Sequence, residues 1–237
     1  MYEAICRMHG NALVTNKYRI HYCRTTLHAD ADNGINPSGN DELYLRNPLR
    51  RLFHRPTKIF EKIGLSKGDS FLDAGAGFGY FSLAAARVVG PSGLVYAVEP
   101  EHKRAVWIKK EAEKRKLDWL VVLEKKLETL DSDSIHDVDK AMMHLSLHHM
   151  SDKLLALNII RRKLKEGGTI IIVEPRRSRS LGHGSEPENV IQLLAWSGYE
   201  VLKLEKRFFT FEVIARAKPQ SKKTNQPHQS KGFGNRV

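Results

Sequence analysis

The chain has 237 residues, 41% hydrophobic and 28% charged, which suits one domain of ordinary size built on a single core. No apolar run approaches the ~18–20 residues that cross a bilayer, and Arg7, His9, Lys17, Arg19 and His21 interrupt the amino-terminal stretch, so neither a transmembrane segment nor a secretory leader is expected and the cytoplasm is the expected location. Cys6 and Cys23 are too few for a disulfide framework or a four-thiolate zinc site, and no metal site is expected; a net charge of +12 permits contact with nucleic acid or an anionic surface without requiring it.

Residues 1–45 lack sustained periodicity and include a turn-rich stretch from Asp30 to Asp41, so they read as a poorly ordered extension with one short strand or helix near Ala12–Tyr22. The folded domain is expected over 46–217. Pro56 opens a helix whose Ile59, Phe60 and Ile63 share one face, and Gly64 stops it. Phe71–Ala74 is a short strand running into a glycine turn. Tyr80–Val89 is a buried helix closed by Gly90-Pro91, and Leu94–Val98 is a second strand, apolar throughout as a strand covered on both faces should be. A helix over 101–116 turns Ala105, Ile108 and Ala112 inward. Val121–Leu123, Lys140–Leu147 and Thr169–Val173 are the third, fourth and fifth strands. Helix Asp152–Leu164 joins the last two, with Gly167-Gly168 ending that crossover. A helix over Pro187–Trp196 precedes two β-rich runs, Tyr199–Leu204 and Phe209–Ala215, close enough to form a hairpin. The tail, 218–237, holds four Lys, one Arg and no acid, and is expected to be a disordered basic tail. Strand–helix–strand repeats of this length form right-handed crossovers between parallel strands, so the fold is α/β, doubly wound and mostly parallel, with an antiparallel C-terminal hairpin.

The strongest chemical signal is Asp73-Ala-Gly75-Ala-Gly77-Phe-Gly79, placed where a strand turns into a helix. Glycines at alternate positions remove the Cβ atoms that would hold a ligand off the backbone, and the helix N-terminus beyond them offers unpaired N–H groups. Glu99 ends the next strand, where a carboxylate can accept both hydroxyls of a ribose. A dinucleotide fingerprint runs G-x-G-x-x-G; here Gly79 comes one residue early and Asp73 has no part in that fingerprint, which argues against an NAD-dependent oxidoreductase.

FLDAGAGFGYFS, VYAVEP, LSLHHM and LKEGGTIIIVEP together resemble the class I S-adenosylmethionine-dependent methyltransferases, and most of all their small-molecule branch of the ubiquinone/menaquinone-biosynthesis type. The resemblance covers roughly 48–218. It implies a Rossmann-like sheet of seven strands in the order 3-2-1-4-5-7-6, with S-adenosyl-L-methionine as cofactor. It implies that Asp73 faces the methionyl ammonium, that Gly75, Ala76, Gly77 and Gly79 expose backbone to the amino-acid moiety, that Glu99 holds the ribose and that Pro100 lines the adenine pocket. It also makes 1–45 a lid over the cofactor or an upstream extension. Where the family often has Gly-Asp-Ala-Glu, this chain has Lys125-Lys126-Leu127-Glu128. Lys126 has donors only and cannot accept from the adenine amine, leaving the Leu127 backbone as a partial substitute.

His144, His148 and His149 follow the fourth strand, beside where the resemblance puts the reactive methyl. An imidazole there can take a proton from a phenol, amine or thiol, so His144 and His148 are the candidate catalytic residues. Since His148 and His149 are neighbours whose side chains are expected to diverge, at most one of the pair is expected to point inward. An Asn/Asp-Pro-Pro-aromatic tetrapeptide of the DNA- and protein-amino methylating kind is lacking, and so is a cysteine nucleophile in the domain. The expected acceptor is therefore a small molecule or lipid-like quinone precursor. The alternative is RNA (tRNA or rRNA) methylated at oxygen or ring nitrogen, and a non-catalytic module that kept the cofactor pocket is a third reading.

Overall fold

In the computed structural model the described residues are 55–177 and 184–219, together with the backbone of an isolated antiparallel pair, Leu13–Val14 with Ile20–His21. That pair falls where a short strand or helix was expected. The remaining expectations for 1–45 and the tail beyond Pro219 lie outside the described residues.

The sheet has seven strands, numbered in chain order as β1 (Ser70–Ala74), β2 (Leu94–Val98), β3 (Leu120–Leu123), β4 (Val138–His144), β5 (Leu164–Pro175), β6 (Tyr199–Lys206) and β7 (Thr210–Ala217). Their spatial order is β3-β2-β1-β4-β5-β7-β6, the first five parallel and β7 antiparallel to both β5 and β6. The helices are α1 (Pro56–Ile63), α2 (Tyr80–Val89), α3 (His102–Lys114), α4 (Lys153–Lys163) and α5 (Pro187–Trp196). The doubly wound architecture and strand order expected from sequence are both present.

Strand alternation sorts the core into two layers. Leu72, Ala74, Tyr96 and Val98 face α4 and α5 through Leu157, Ile160, Val190 and Leu194. Phe71, Val95, Ala97 and Met142 face α1, α2 and α3 through Ile59, Phe60, Phe81 and Ile108. Phe71, Leu72, Ile171 and Ile172 are fully buried, each worth about 1.5–3 kcal/mol of removed apolar surface. Among the described residues no helix is long and apolar enough to cross a membrane.

Two boundaries differ most from the sequence reading. The fourth strand ends at His144 rather than Leu147, because Leu145 takes φ +53° and turns the chain into a short 3-10 turn, Leu147–His149. Gly167-Gly168 do not end the crossover, which is complete once the helix stops at Lys163 and β5 begins at Leu164. They sit inside β5, where Leu164 pairs with Val138 but Thr169 already pairs with Lys140, so the glycines form a bulge.

The first strand, β1, lies between β2 and β4; the connection from β1 runs to β2 and that from β4 runs to β5, in opposite directions across the sheet. A crevice opens at the C-terminal ends of the strands where this reversal occurs, which is where ligands enter open α/β sheets.

Candidate active site

The alternation that builds the core also decides which polar groups meet. Asp73, Glu99 and His144 each stand two residues after an apolar residue facing α1–α3, namely Phe71, Ala97 and Met142. All three therefore emerge on one face, at the ends of three adjacent strands. They line a cleft of about 640 Å³ together with Gly75, Ala76, Gly77, Pro100 and Leu127.

Asp73 is buried and accepts a 2.5 Å hydrogen bond from the Ser82 hydroxyl in the first turn of α2. A carboxylate at that helix end is favoured by the unpaired N–H groups there. Glu99 is buried as well. The Gly77 N–H donates to its Oε2 at 2.8 Å and the Glu101 N–H to its Oε1 at 3.1 Å, with the Arg104 guanidinium 3.9 Å from Oε1. Burial pushes this carboxyl above the usual range, opposed by the two N–H groups and by Arg104.

The three glycines divide their work. Gly77 has φ +57° and nothing within 4 Å of where a Cβ would stand, so its backbone borders open space. Gly75 has φ +89°, and a Cβ there would collide with the Ser146 side chain, whose hydroxyl donates to the Ala74 carbonyl at 2.8 Å. Gly79, at φ +73°, caps α2, and its Cβ would meet Ile108 Cγ1 at 2.8 Å. The expectation that all three keep a ligand's path clear needs correcting. Gly79 is absent from the cleft wall and permits close packing of α2 on α3.

The histidines also need correcting. His144 lines the cleft, nearly buried, its ring 4.4 Å from that of Phe81. His148 does not line it. Its Nδ1 lies 2.8 Å from Glu174 Oε2, and Glu174 also accepts from the N–H groups of Leu147 and His148 and from the Ser185 hydroxyl. His149 lines the cleft instead. The two rings are 3.9 Å apart rather than diverging, but only His149 takes the inward position.

Sequence reasoning missed Glu174, which is fully buried. A signal was available: Val-Glu-Pro ends both β2 and β5, and an acid closing an otherwise apolar strand demands partners. Glu99 and Glu174 both brace a neighbouring loop by accepting main-chain N–H groups. Lys126 and Glu128 also line the cleft, and Glu128 accepts from the Ser151 N–H at 2.9 Å. Leu145, strained at φ +53° by about 1–2 kcal/mol, borders the same space. Among the described residues no group of three or more His, Cys, Asp or Glu is placed to hold a metal ion.

Comparison with known proteins agrees with this geometry. A protein from Sulfurisphaera tokodaii named "Probable cobalt-precorrin-6B C(15)-methyltransferase (decarboxylating)" is 34% identical over 47% of this chain and 56% of its own. Demethylmenaquinone methyltransferase from Lactobacillus johnsonii is 28% identical over 60% of this chain and 54% of its own, so the chain spans about half the length of the curated relatives it matches. The crystal structure of a SAM-dependent methyltransferase from Aquifex aeolicus shares the fold, with TM-score 0.64 and 24% identity, over 75% of this chain and 97% of that one. Residues 65–224 match the protein family described as Methyltransferase domain, which is more than half of the chain. With the sheet order and the glycine turn in place, the chain belongs to that family, on the class I S-adenosylmethionine-dependent methyltransferase fold.

Proposed function

We propose that the protein transfers a methyl group from S-adenosylmethionine to a small-molecule or lipid-like acceptor, as the ubiquinone/menaquinone-biosynthesis branch does. The observation that carries this reading is the buried Glu99 carboxylate, held by the Gly77 main chain beside open space.

The residues present fit the cofactor. A carboxylate offers about four lone-pair sites, and two main-chain N–H groups use two of those on Glu99, which leaves acceptor capacity for ribose hydroxyls. Asp73 supplies negative charge for the methionyl ammonium, and Gly75, Ala76 and Gly77 supply bare backbone. Pro100 and Leu127 wall the adenine side, where Lys126 offers donors to ring nitrogens in place of an acceptor for the amine.

When bound, S-adenosylmethionine supplies a methyl group already activated on a sulfonium. The chain's own residues then orient the partners and exclude water, Phe81 and His144 forming the dry side of the cleft. His144 and His149, which both line the cleft, supply imidazoles that can accept a proton from a phenol, amine or thiol. An acceptor that ionises easily needs no such help.

The acceptors named for the two curated relatives, a precorrin and a demethylmenaquinone, are small organic molecules and support the acceptor class. The net charge of +12 favours RNA as the second reading. Incubation with methyl-labelled donor and fractionated cell extract separates them. Label in organic-soluble material supports the first reading, label in RNA supports the second, and label in protein contradicts both.

A further inference from the structure

The turn between β6 and β7 lies at the same end of the strands as the cleft, since Thr210 at the start of β7 pairs with Pro175 at the end of β5. Its Phe209 carbonyl accepts from the Arg176 N–H just beyond the end of β5, at 2.9 Å. At its tip Phe208 and Phe209 are 83% and 76% exposed, their rings edge-to-face at 4.5 Å. Adjacent exposed phenylalanines on a projecting turn contribute nothing to the core and cost solvation, so they call for a partner.

The rim around them is cationic. Arg176, Arg177, Lys206 and Arg207 are all exposed. Lys206 pairs with Glu188 at 2.7 Å. Arg207 reaches Glu212 at 3.0 Å and Glu205 at 3.9 Å, but those two glutamates are already engaged by Lys62 and Lys203. Among the described residues, Glu188, Glu205 and Glu212 meet Lys62, Arg176, Lys203, Lys206 and Arg207, and with exposed Arg177 set against exposed Glu186 the excess is positive.

We infer that this turn docks on an anionic lipid surface, with Phe208 and Phe209 entering the headgroup–acyl boundary and the surrounding Arg and Lys pairing with lipid phosphates. RNA is the competing occupant, since bases stack on aromatic rings beside cations. The edge-to-face pair turns one ring's edge onto the other's face and forms a wedge rather than a stacking platform, which favours the bilayer. Docking here would hold the mouth of the cleft close to the membrane, and it does not depend on the reaction carried out in the cleft.

Co-sedimentation of the full chain with vesicles tests the inference. The chain should bind phosphatidylcholine–phosphatidylglycerol vesicles and stay in solution with phosphatidylcholine alone. The double variant Phe208→Ser/Phe209→Ser should lower partition ~10-fold or more, because two buried phenyl groups are lost. Arg176→Gln/Arg177→Gln should lower it several-fold. Phe208→Trp, which keeps a ring at the tip, should retain binding and shift its emission to shorter wavelength on the mixed vesicles. The inference is overturned if the full chain ignores the mixed vesicles, if the serine variant partitions like the wild type, or if the Trp emission does not move. It is equally overturned if the serine substitutions abolish a tRNA gel shift while vesicle binding is unchanged, an outcome that assigns the turn to RNA.

Discussion

Two places on the same sheet treat carboxylates in opposite ways. At the cleft, Glu99 is held by the N–H groups of Gly77 and Glu101, and its nearest cation, Arg104, stands 3.9 Å away. At the hairpin edge, buried Glu212 is neutralised by Lys62 from α1 and by Arg207, while Glu205 takes Lys62 and Lys203. The consequence is a split in acidity. Burial drives the Glu99 carboxyl upward, whereas Lys203 and Lys62 hold that of Glu205 at about 2. Lys62 is itself shifted upward: burial works against its charge, but Glu205 and Glu212 outweigh it. Ion pairs use up a carboxylate's capacity and fasten the hairpin to α1. Main-chain donors leave that capacity partly open, as a ligand site requires.

The largest effect expected from this contrast is at the hairpin. Lys62→Met leaves Glu212 buried with only Arg207 and should cost about 3 kcal/mol of stability, read by denaturant unfolding. Affinity for S-adenosylmethionine should be unchanged. Glu99→Gln should do the reverse. Stability should stay within about 1 kcal/mol of wild type, while affinity falls by ~10- to 30-fold, because hydrogen bonds to a charged acceptor are lost. If either variant moves both quantities together, the division between the two places fails.

Acid sharpens the comparison further. Glu205 binds its proton more weakly folded than unfolded, so the stability it gives is present above the ordinary carboxylate range and is lost as pH falls toward about 2. Glu99 has the opposite sign. Folded, it binds its proton more tightly, so acidification through the carboxylate range relieves the cost of burying its charge while weakening ligand binding. Melting curves against pH should therefore fall less steeply on the acid side in Lys62→Met than in wild type. The smallest effect is expected from Arg104→Gln. This half-exposed cation should alter ligand affinity by less than ~5-fold, checked by the same titration, since solvent screens it.

Much of this was legible in the sequence, and the reasons are local. The bounds of α2 and β2 follow from apolar runs, the first closed by Gly90 and the second opened after Gly93 and closed by Glu99, and Asp73 and Glu99 reach the same cleft because each is two residues beyond an apolar residue of one layer. His148 could not be told from His149, because the turn that separates them depends on the positive φ of Leu145, which no apolar pattern encodes. The pairing of Lys62 with Glu205 and Glu212 joins residues more than 140 positions apart and appears only once the hairpin is folded against α1. Gly79 looked identical to Gly77 as a letter, and only the position of Ile108 separates packing from ligand access.

The most direct test is titration calorimetry of the wild-type chain with S-adenosylmethionine and with its demethylated product, S-adenosylhomocysteine. Saturable one-to-one binding of both, at concentrations of about tens of micromolar or below, is the predicted result. Absence of binding to either compound in that range would contradict the claim that the hollow beside Gly77 and Glu99 receives an adenosyl cofactor.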